Sequence, residues 1–439
     1  MWSKIMKIKY KIIAIGVFLI FVIVAAYQKG MIDGQTGSEL ALIATAEAKK
    51  QDSMAPNQWS PTKPYPKHNV YYPGTEELKP DEMRVIALGS GMPMPRRKQA
   101  AASFLIELGN GDKFIFDMGT GSMERLYALG IPLDFIDKVF LTHLHADHMG
   151  DLSGFYIYGP QNNRSVPLRV WGPGGGGTRP EWGTKAALEN MEGMWAWMNG
   201  TLKGLIDTTA LKIEVTEYDW SKVNNVFYNH NGVVIKSIPA IHLEQSASFI
   251  LEWNGLTLAF SGDTLPNKWW IENTKGIDFS IHECIFMPDM AMLKWGFSAP
   301  EALNAMTTVH ANPSFFGKVM AMTKPKHAVA YHFQNDFDTL PGVMKAVEQY
   351  YDGPVDYAQD FMVWNITKAG VRTRMAVTNP EAYPPPSLKE KEIEAGADRY
   401  QTPDSVLAGW PEEFQGLTEQ IYTDFNKKHG TDFKFQLKK

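Results

Sequence analysis

The chain of 439 residues is 44% hydrophobic and 12% aromatic, enough to bury a large core in one big domain with appendages. Its formal charge of −5 provides no general attraction to nucleic acid, whose partners usually present a basic face, so no nucleic-acid partner is expected. The lone cysteine, Cys284, excludes an intrachain disulfide framework and leaves any metal to nitrogen and oxygen ligands.

At the N-terminus, Lys4, Lys7, Lys9 and Lys11 precede an unbroken apolar run from Ile12 to Ala26. This is the layout of a signal peptide or signal anchor over residues 1–26. The run is shorter than the ~20 residues a full transmembrane span needs, and Val24-Ala25-Ala26 offers small residues for cleavage. The expectation is an exported protein, periplasmic or held at the membrane by this segment. Residues 27–82 are polar and carry Pro56, Pro61, Pro64, Pro66, Pro73 and Pro80, which reads as a linker or irregular wrap.

The catalytic body is expected over 83–378. Arg84 to Gly89 reads as a strand entering a Gly-Ser-Gly turn. Ser103 to Leu108 and Lys113 to Asp117 flank Gly109-Asn110-Gly111-Asp112, a hairpin signal that recurs around Asn229 to Gly232 and around Asn254-Gly255. Helical stretches at Ser122 to Leu129, Thr184 to Asn199 and Pro300 to Thr308 separate these hairpins. Two packed sheets with helices outside, an α/β (α+β) architecture, follow from that pattern. The glycines Gly172 to Gly177 lack the following Lys-Ser/Thr of a nucleotide loop and read as a flexible turn. Met191 to Met198 reads first as helix core, with Trp195 or Trp197 as candidates to stack on an apolar substrate.

The densest chemistry lies at His143-Leu144-His145-Ala146-Asp147-His148, directly after the apolar run Ile136 to Leu141. Neutral imidazoles and a carboxylate packed this closely suit a borderline cation, and the spacing can serve two ions. The stretch resembles the His-x-His-x-Asp-His signature of the metallo-β-lactamase superfamily at all four ligand positions, over roughly residues 83 to 370. The resemblance implies a four-layer αββα sandwich and a dinuclear Zn2+ centre. It also implies that His242 completes a first site with His143 and His145. His332 then joins Asp147 and His148 at a second site, with Asp263 of Gly262-Asp263-Thr264 as the bridge.

Ile281-His282-Glu283-Cys284 resembles the His-Glu-Ala-Thr segment of tRNase Z and of zinc arylsulfatases. That resemblance implies His282 as the leaving-group acid, supported by Glu283; Asp147 or Asp263 would orient the nucleophile. His310 resembles a further histidine of that branch near the substrate. Residues 150 to 230 lack the lysine and arginine cluster of a tRNA-gripping arm, which points to a small ester substrate.

The function expected from the sequence is therefore an exported dinuclear zinc hydrolase, arylsulfatase- or phosphodiesterase-like. It would cleave a small sulfate or phosphate ester through a metal-bound hydroxide. The alternative is lactone or β-lactam hydrolysis on the same centre, ahead of a di-iron redox protein or a vestigial-site interaction protein. Residues 379–439 open on a stiff Pro384-Pro385-Pro386 linker and lead to a helix-like run from Glu412 to Lys428. This appendage is expected to pack back on the body or to mediate homo-oligomer assembly.

Overall fold

The computed structural model describes residues 69–387, 389–390 and 402–434. The lysine-flanked apolar segment at 1–26 lies outside them. Strands β1 (Val70–Tyr71), β2 (Met83–Gly89), β3 (Ser103–Leu108), β4 (Lys113–Phe116), β5 (Lys138–Phe140), β6 (Leu168–Pro173) and β7 (Ile213–Tyr218) open a first sheet. A second sheet takes β8 (Asn225–His230), β9 (Val233–Pro239), β10 (Ala247–Trp253), β11 (Leu256–Phe260), β12 (Phe279–Glu283), β13 (Ala328–Tyr331) and β14 (Val355–Tyr357). The chain then returns through β15 (Met362–Thr367) and β16 (Gly370–Ala376) to complete the first sheet in the order 1-16-15-2-3-4-5-6-7.

All three expected hairpins form: β3 with β4, β8 with β9, and β10 with β11 are antiparallel neighbours. Strands β11, β12 and β13 run parallel, so their C-terminal ends emerge on one edge of the second sheet. The strand at Val70–Tyr71 pairs in parallel with Met375 and Ala376, so the sheet begins before residue 83. Two residues are too short for an alternation signal, and only the ladder of β16 makes them a strand.

Three hydrophobic clusters define the layers of the αββα sandwich. Between the sheets lie Phe104, Phe114, Phe116, Phe140, Phe249, Phe260, Tyr331 and Trp364. Outside the first sheet, Leu126, Leu152, Phe155 and Leu188 bring helices down on Ile115 and Val139. Outside the second, Trp270, Phe316 and Val347 cover Ala328 and Ala330. The C-terminal helix Glu413–His429 has no buried residue, so it takes no part in these layers.

Asp356 of β14 joins the two sheets at one end. It accepts hydrogen bonds from His327 Nε2 at 2.8 Å, Trp364 Nε1 at 2.8 Å and Thr373 Oγ1 at 2.6 Å. Burial opposes its ionisation, but these partners hold the carboxyl below its usual value. A depressed carboxylate stabilises the fold fully above its unfolded pKa of about 4, and that contribution drains as pH falls below it. Asp356→Asn is therefore expected to lower stability at neutral pH and to flatten the acid limb of a denaturation-against-pH curve.

Phe116 contacts Phe140, Phe249 and Phe260 with ring centroids 5.7, 5.4 and 5.9 Å away. Phe116→Ala leaves a cavity at the centre of the sandwich and is expected to cost about 3–5 kcal/mol of unfolding free energy in urea titrations.

Candidate metal centre

The polar groups gather where strands end. His143, His145, Asp147 and His148 follow β5, His242 follows β9, Asp263 follows β11 and His332 follows β13. Each lies just past a buried strand, where the backbone ladder stops and the loop can turn a side chain into the gap between sheet edges.

The structure brings these residues into two groups with ligand atoms within 4.8 Å of one another: His143, His145, His242 and Asp263, and Asp147, His148, Asp263 and His332. Asp263 belongs to both. Its Oδ2 lies 3.9 Å from His143 Nε2 and 3.8 Å from His242 Nε2, while Oδ1 lies 3.2 Å from His148 Nε2 and 3.3 Å from His332 Nε2. The carboxylate is 1% exposed, yet neither oxygen accepts a hydrogen bond. A buried carboxylate left this way fits a cation on each side.

The surroundings fix the tautomers. Thr142 Oγ1 donates to Asp117 Oδ2 at 2.7 Å and so accepts from His143 Nδ1 at 3.1 Å. His242 Nδ1 donates to the Val309 carbonyl at 3.1 Å, and His148 Nδ1 donates to Asp117 Oδ2 at 2.7 Å. In His143 and His242 Nε2 is thereby left with a bare lone pair toward the centre, the state a metal needs, whereas burial opposes a charge on His148 but Asp263, Asp147 and Asp117 raise it well above its usual value, so an ion bound there would displace its Nε2 proton. Burial pushes His143 well below its usual value and His242 down to about 4, keeping both neutral. Burial opposes charge on Asp263, but His332 and His148 hold its carboxyl well below the usual range.

Backbone strain supports the arrangement. His332 sits at φ 70°, pinned by its N–H to Ser90 O at 2.9 Å. Gly262 sits at φ 57°, and a Cβ there would meet the Thr142 side chain at 2.7 Å. Only glycine lets the strand end pass Thr142 and present Asp263.

Glu283 lies on the same side of β12 as the donors. It accepts from the Thr264 N–H through Oε1 and from His310 Nδ1 at 2.9 Å through Oε2. His310 Nδ1 is also 3.6 Å from Asp263 Oδ2. Burial disfavours a charged His310, but the Glu283 carboxylate beside it raises the imidazole to about 9. A protonated imidazole held by a buried carboxylate is a ready proton donor.

His282 does not reach this centre. Alternation along β12 sends it to the opposite face from Glu283, against Trp270 at 4.9 Å and Phe316 at 6.0 Å. It is fully buried, and burial lowers it to about 4. The expected place of His282 beside the donors is therefore corrected: His310 lies there instead, brought in by the loop that follows the π-helical turn Ala305–Val309. From the sequence His310 stands only as a resemblance ranked below His282, since its partner Glu283 is distant in the chain. Trp195 donates to Ser153 Oγ at 2.8 Å and packs under the first sheet. Neither it nor Trp197 lines the cleft beside the donors, where Trp182 stands instead.

A sequence profile described as the metallo-beta-lactamase superfamily matches residues 96–283. Ribonuclease Z of Mycolicibacterium gilvum (strain PYR-GCK) is 29% identical over 210 residues, covering 46% of this chain and 69% of the relative. Ribonuclease Z of Mycobacterium sp. (strain KMS) is 30% identical over 193 residues, covering 42% and 62%. Among solved structures, the metallo-beta-lactamase fold protein YhfI from Bacillus subtilis aligns with a TM-score of 0.49 at 17% identity, over 65% of this chain and 99% of its own.

Two packed sheets with paired donor groups at their edge define a metal-dependent hydrolase. Residues 96–283 match the metallo-β-lactamase superfamily, and the ribonuclease Z branch of it fits.

Relatives of that name overturn three expectations. The small sulfate or phosphate ester, with lactone or β-lactam opening as its alternative, is corrected, and so is the exclusion of nucleic acid as a partner. Net charge averages over the whole surface and does not see a local basic loop. Arg97 and Lys98 are exposed on a loop whose Gln99 donates to Phe333 O at 2.9 Å, next to His332. Export, periplasmic or membrane-anchored, is withdrawn as well, because the matched relatives are ribonucleases Z. Among the described residues no helix is long and apolar enough to cross a membrane.

Asp117→Ala would remove the group that orients both His148 and Thr142. The expected result is a ~10–100-fold weaker hold on the bound ion, measured by competition with a chromogenic chelator. Gly262→Ala is expected to cost more: metal content falls and the melting temperature drops, because both the conformation and the space are denied.

Proposed function

We propose that this protein is a zinc-dependent ribonuclease of the ribonuclease Z kind, hydrolysing a phosphodiester bond in RNA. The observation that carries the reading is the His310–Glu283 pair beside two histidine-rich donor groups, in a chain whose relatives are ribonucleases Z. His143, His145, His242 and Asp263 would hold one ion and Asp147, His148, Asp263 and His332 the other. Nitrogen-rich donor sets of this kind suit zinc. When bound, such ions supply Lewis acidity, making water acidic and neutralising charge that develops on phosphate.

The chain's own residues supply the rest. Asp147, buried and 3.2 Å from His332 Nε2, orients the attacking water. Water adds to phosphorus and gives up a proton to solvent, the bond to the ribose oxygen breaks, and His310, whose Nδ1–H is held by Glu283, passes its Nε2 proton to the departing oxygen. Glu283 holds the imidazole in place and stabilises its charged form before transfer. Burial of Asp147, His148, Asp263, Glu283 and His332 in the gap between sheet edges shields them from bulk water and strengthens their interactions, while exposed His145 faces the solvent.

For the domains, we take residues 83–378 as the catalytic body, with Val70–Tyr71 joined to its sheet, and 379–439 as an appendage outside the chemistry. His310→Ala should lower kcat for RNA cleavage by about 10²–10⁴-fold with KM little changed, whereas His282→Gln should cost stability and leave kcat within a few-fold. Equal losses of kcat in the two variants, in single-turnover assays on a labelled RNA, would sink the assignment of the acid. Dialysis against a strong chelator should abolish cleavage, and added zinc should restore it.

A further inference from the structure

Beside the donor groups opens a cleft of about 510 Å3, lined by His143 and His145 on one side and by Thr178, Arg179, Trp182 and Leu243 on the other. Its outer wall is the segment 174–183, between β6 and the helix Thr184–Met194. The Arg179 guanidinium lies 4.7 Å from the centre of the Trp182 ring, which is 58% exposed. A tryptophan this exposed at a cleft contributes little to the core.

The wall is built rather than loose. The Thr178 N–H donates to Glu244 Oε1 at 3.2 Å, and its hydroxyl donates to the other oxygen of the same carboxylate. With its oxygen turned to the Gly176 N–H at 2.6 Å, the Gln245 amide donates to Trp182 O at 3.0 Å. A Cβ on Gly175 would fall 1.9 Å from Pro180 O, so the segment folds onto itself only because that position is glycine. Glu244 and Gln245 belong to the loop that carries His242, so the Trp182 platform is tied in position to the donor groups.

We infer that Trp182 and Arg179 form a nucleobase subsite, on which the unpaired nucleotide flanking the scissile phosphate stacks. This rests on the ribonuclease reading and names how that substrate is held. Three observations converge on it. The Arg179 guanidinium lies over one face of the ring and adds positive charge, and the opposite face is a flat apolar surface of the size of a base. Arg179 has only an exposed partner, Glu181 at 3.6 Å, so its charge remains available to an anion. The chain's net charge of −5 leaves little long-range attraction for RNA, and stacking of single bases is the binding mode that depends least on it. An RNA end threaded past the platform would reach His143 and His145 within the same cleft.

The test uses the zinc-loaded full chain and a short single-stranded RNA, with and without the base at the flanking nucleotide. Cleavage is measured, together with anisotropy of a hydrolysis-resistant phosphorothioate analogue. Trp182→Ala is expected to raise KM and the analogue's Kd by about 5- to 100-fold with kcat within about 3-fold, and Trp182→Phe to retain most of the binding. In the wild type, removing the base should cost the same factor, while in Trp182→Ala it should cost nothing more. Cleavage that is indifferent both to Trp182→Ala and to the missing base overturns the subsite and leaves the ribonuclease reading standing. Absence of cleavage with base-dependent, Trp182-dependent binding supports the subsite and overturns the ribonuclease reading instead. Absence of both cleavage and base-dependent binding overturns the two together.

Discussion

The whole arrangement depends on one buried carboxylate with imidazoles on both sides. Asp263 is 1% exposed and accepts no hydrogen bond, a condition that costs several kcal/mol unless cations neutralise it. The protein builds outward from that requirement. Gly262 lets the strand end turn beside Thr142, and Asp117 receives both Thr142 and His148, setting which nitrogen each ring turns inward. A second layer of hydrogen bonds thus converts a cluster of histidines into one with a defined protonation state.

The fold serves this by bringing ends of strands together. Three parallel strands of the second sheet deliver Asp263, Glu283 and His332 to one edge, and β5 of the first sheet delivers the His143 to His148 loop opposite. An aromatic interior between the sheets holds the two edges at fixed separation, since close-packed rings tolerate little sliding. Asp356 and its three donors tie β14 to β15 and β16 where the chain crosses back.

Electrostatics then divides the histidines by role. His143 and His242 are kept neutral by burial, which suits ligands. His310 is kept charged by Glu283, which suits an acid. His282, one residue from Glu283, is kept neutral by burial and belongs to the apolar packing. Residue type alone does not distinguish these cases; the neighbours do.

The sequence by itself determined the local features: the three hairpins from their Asn-Gly and Gly-Asn turns, the two-sheet class, and the dense loop at 143 to 148. Those signals are short-range, carried by alternation, turn residues and ligand spacing within a few positions. The tertiary structure decided what depends on distant segments. It turned His282 away and Glu283 inward, because a strand sends adjacent side chains to opposite faces and the sequence does not say which face meets the gap. It placed His310 against Glu283, joined Val70–Tyr71 to β16, and set Trp182 rather than Trp195 or Trp197 at the cleft. Composition misjudged the partner for the same reason, since a sum of charges carries no positions.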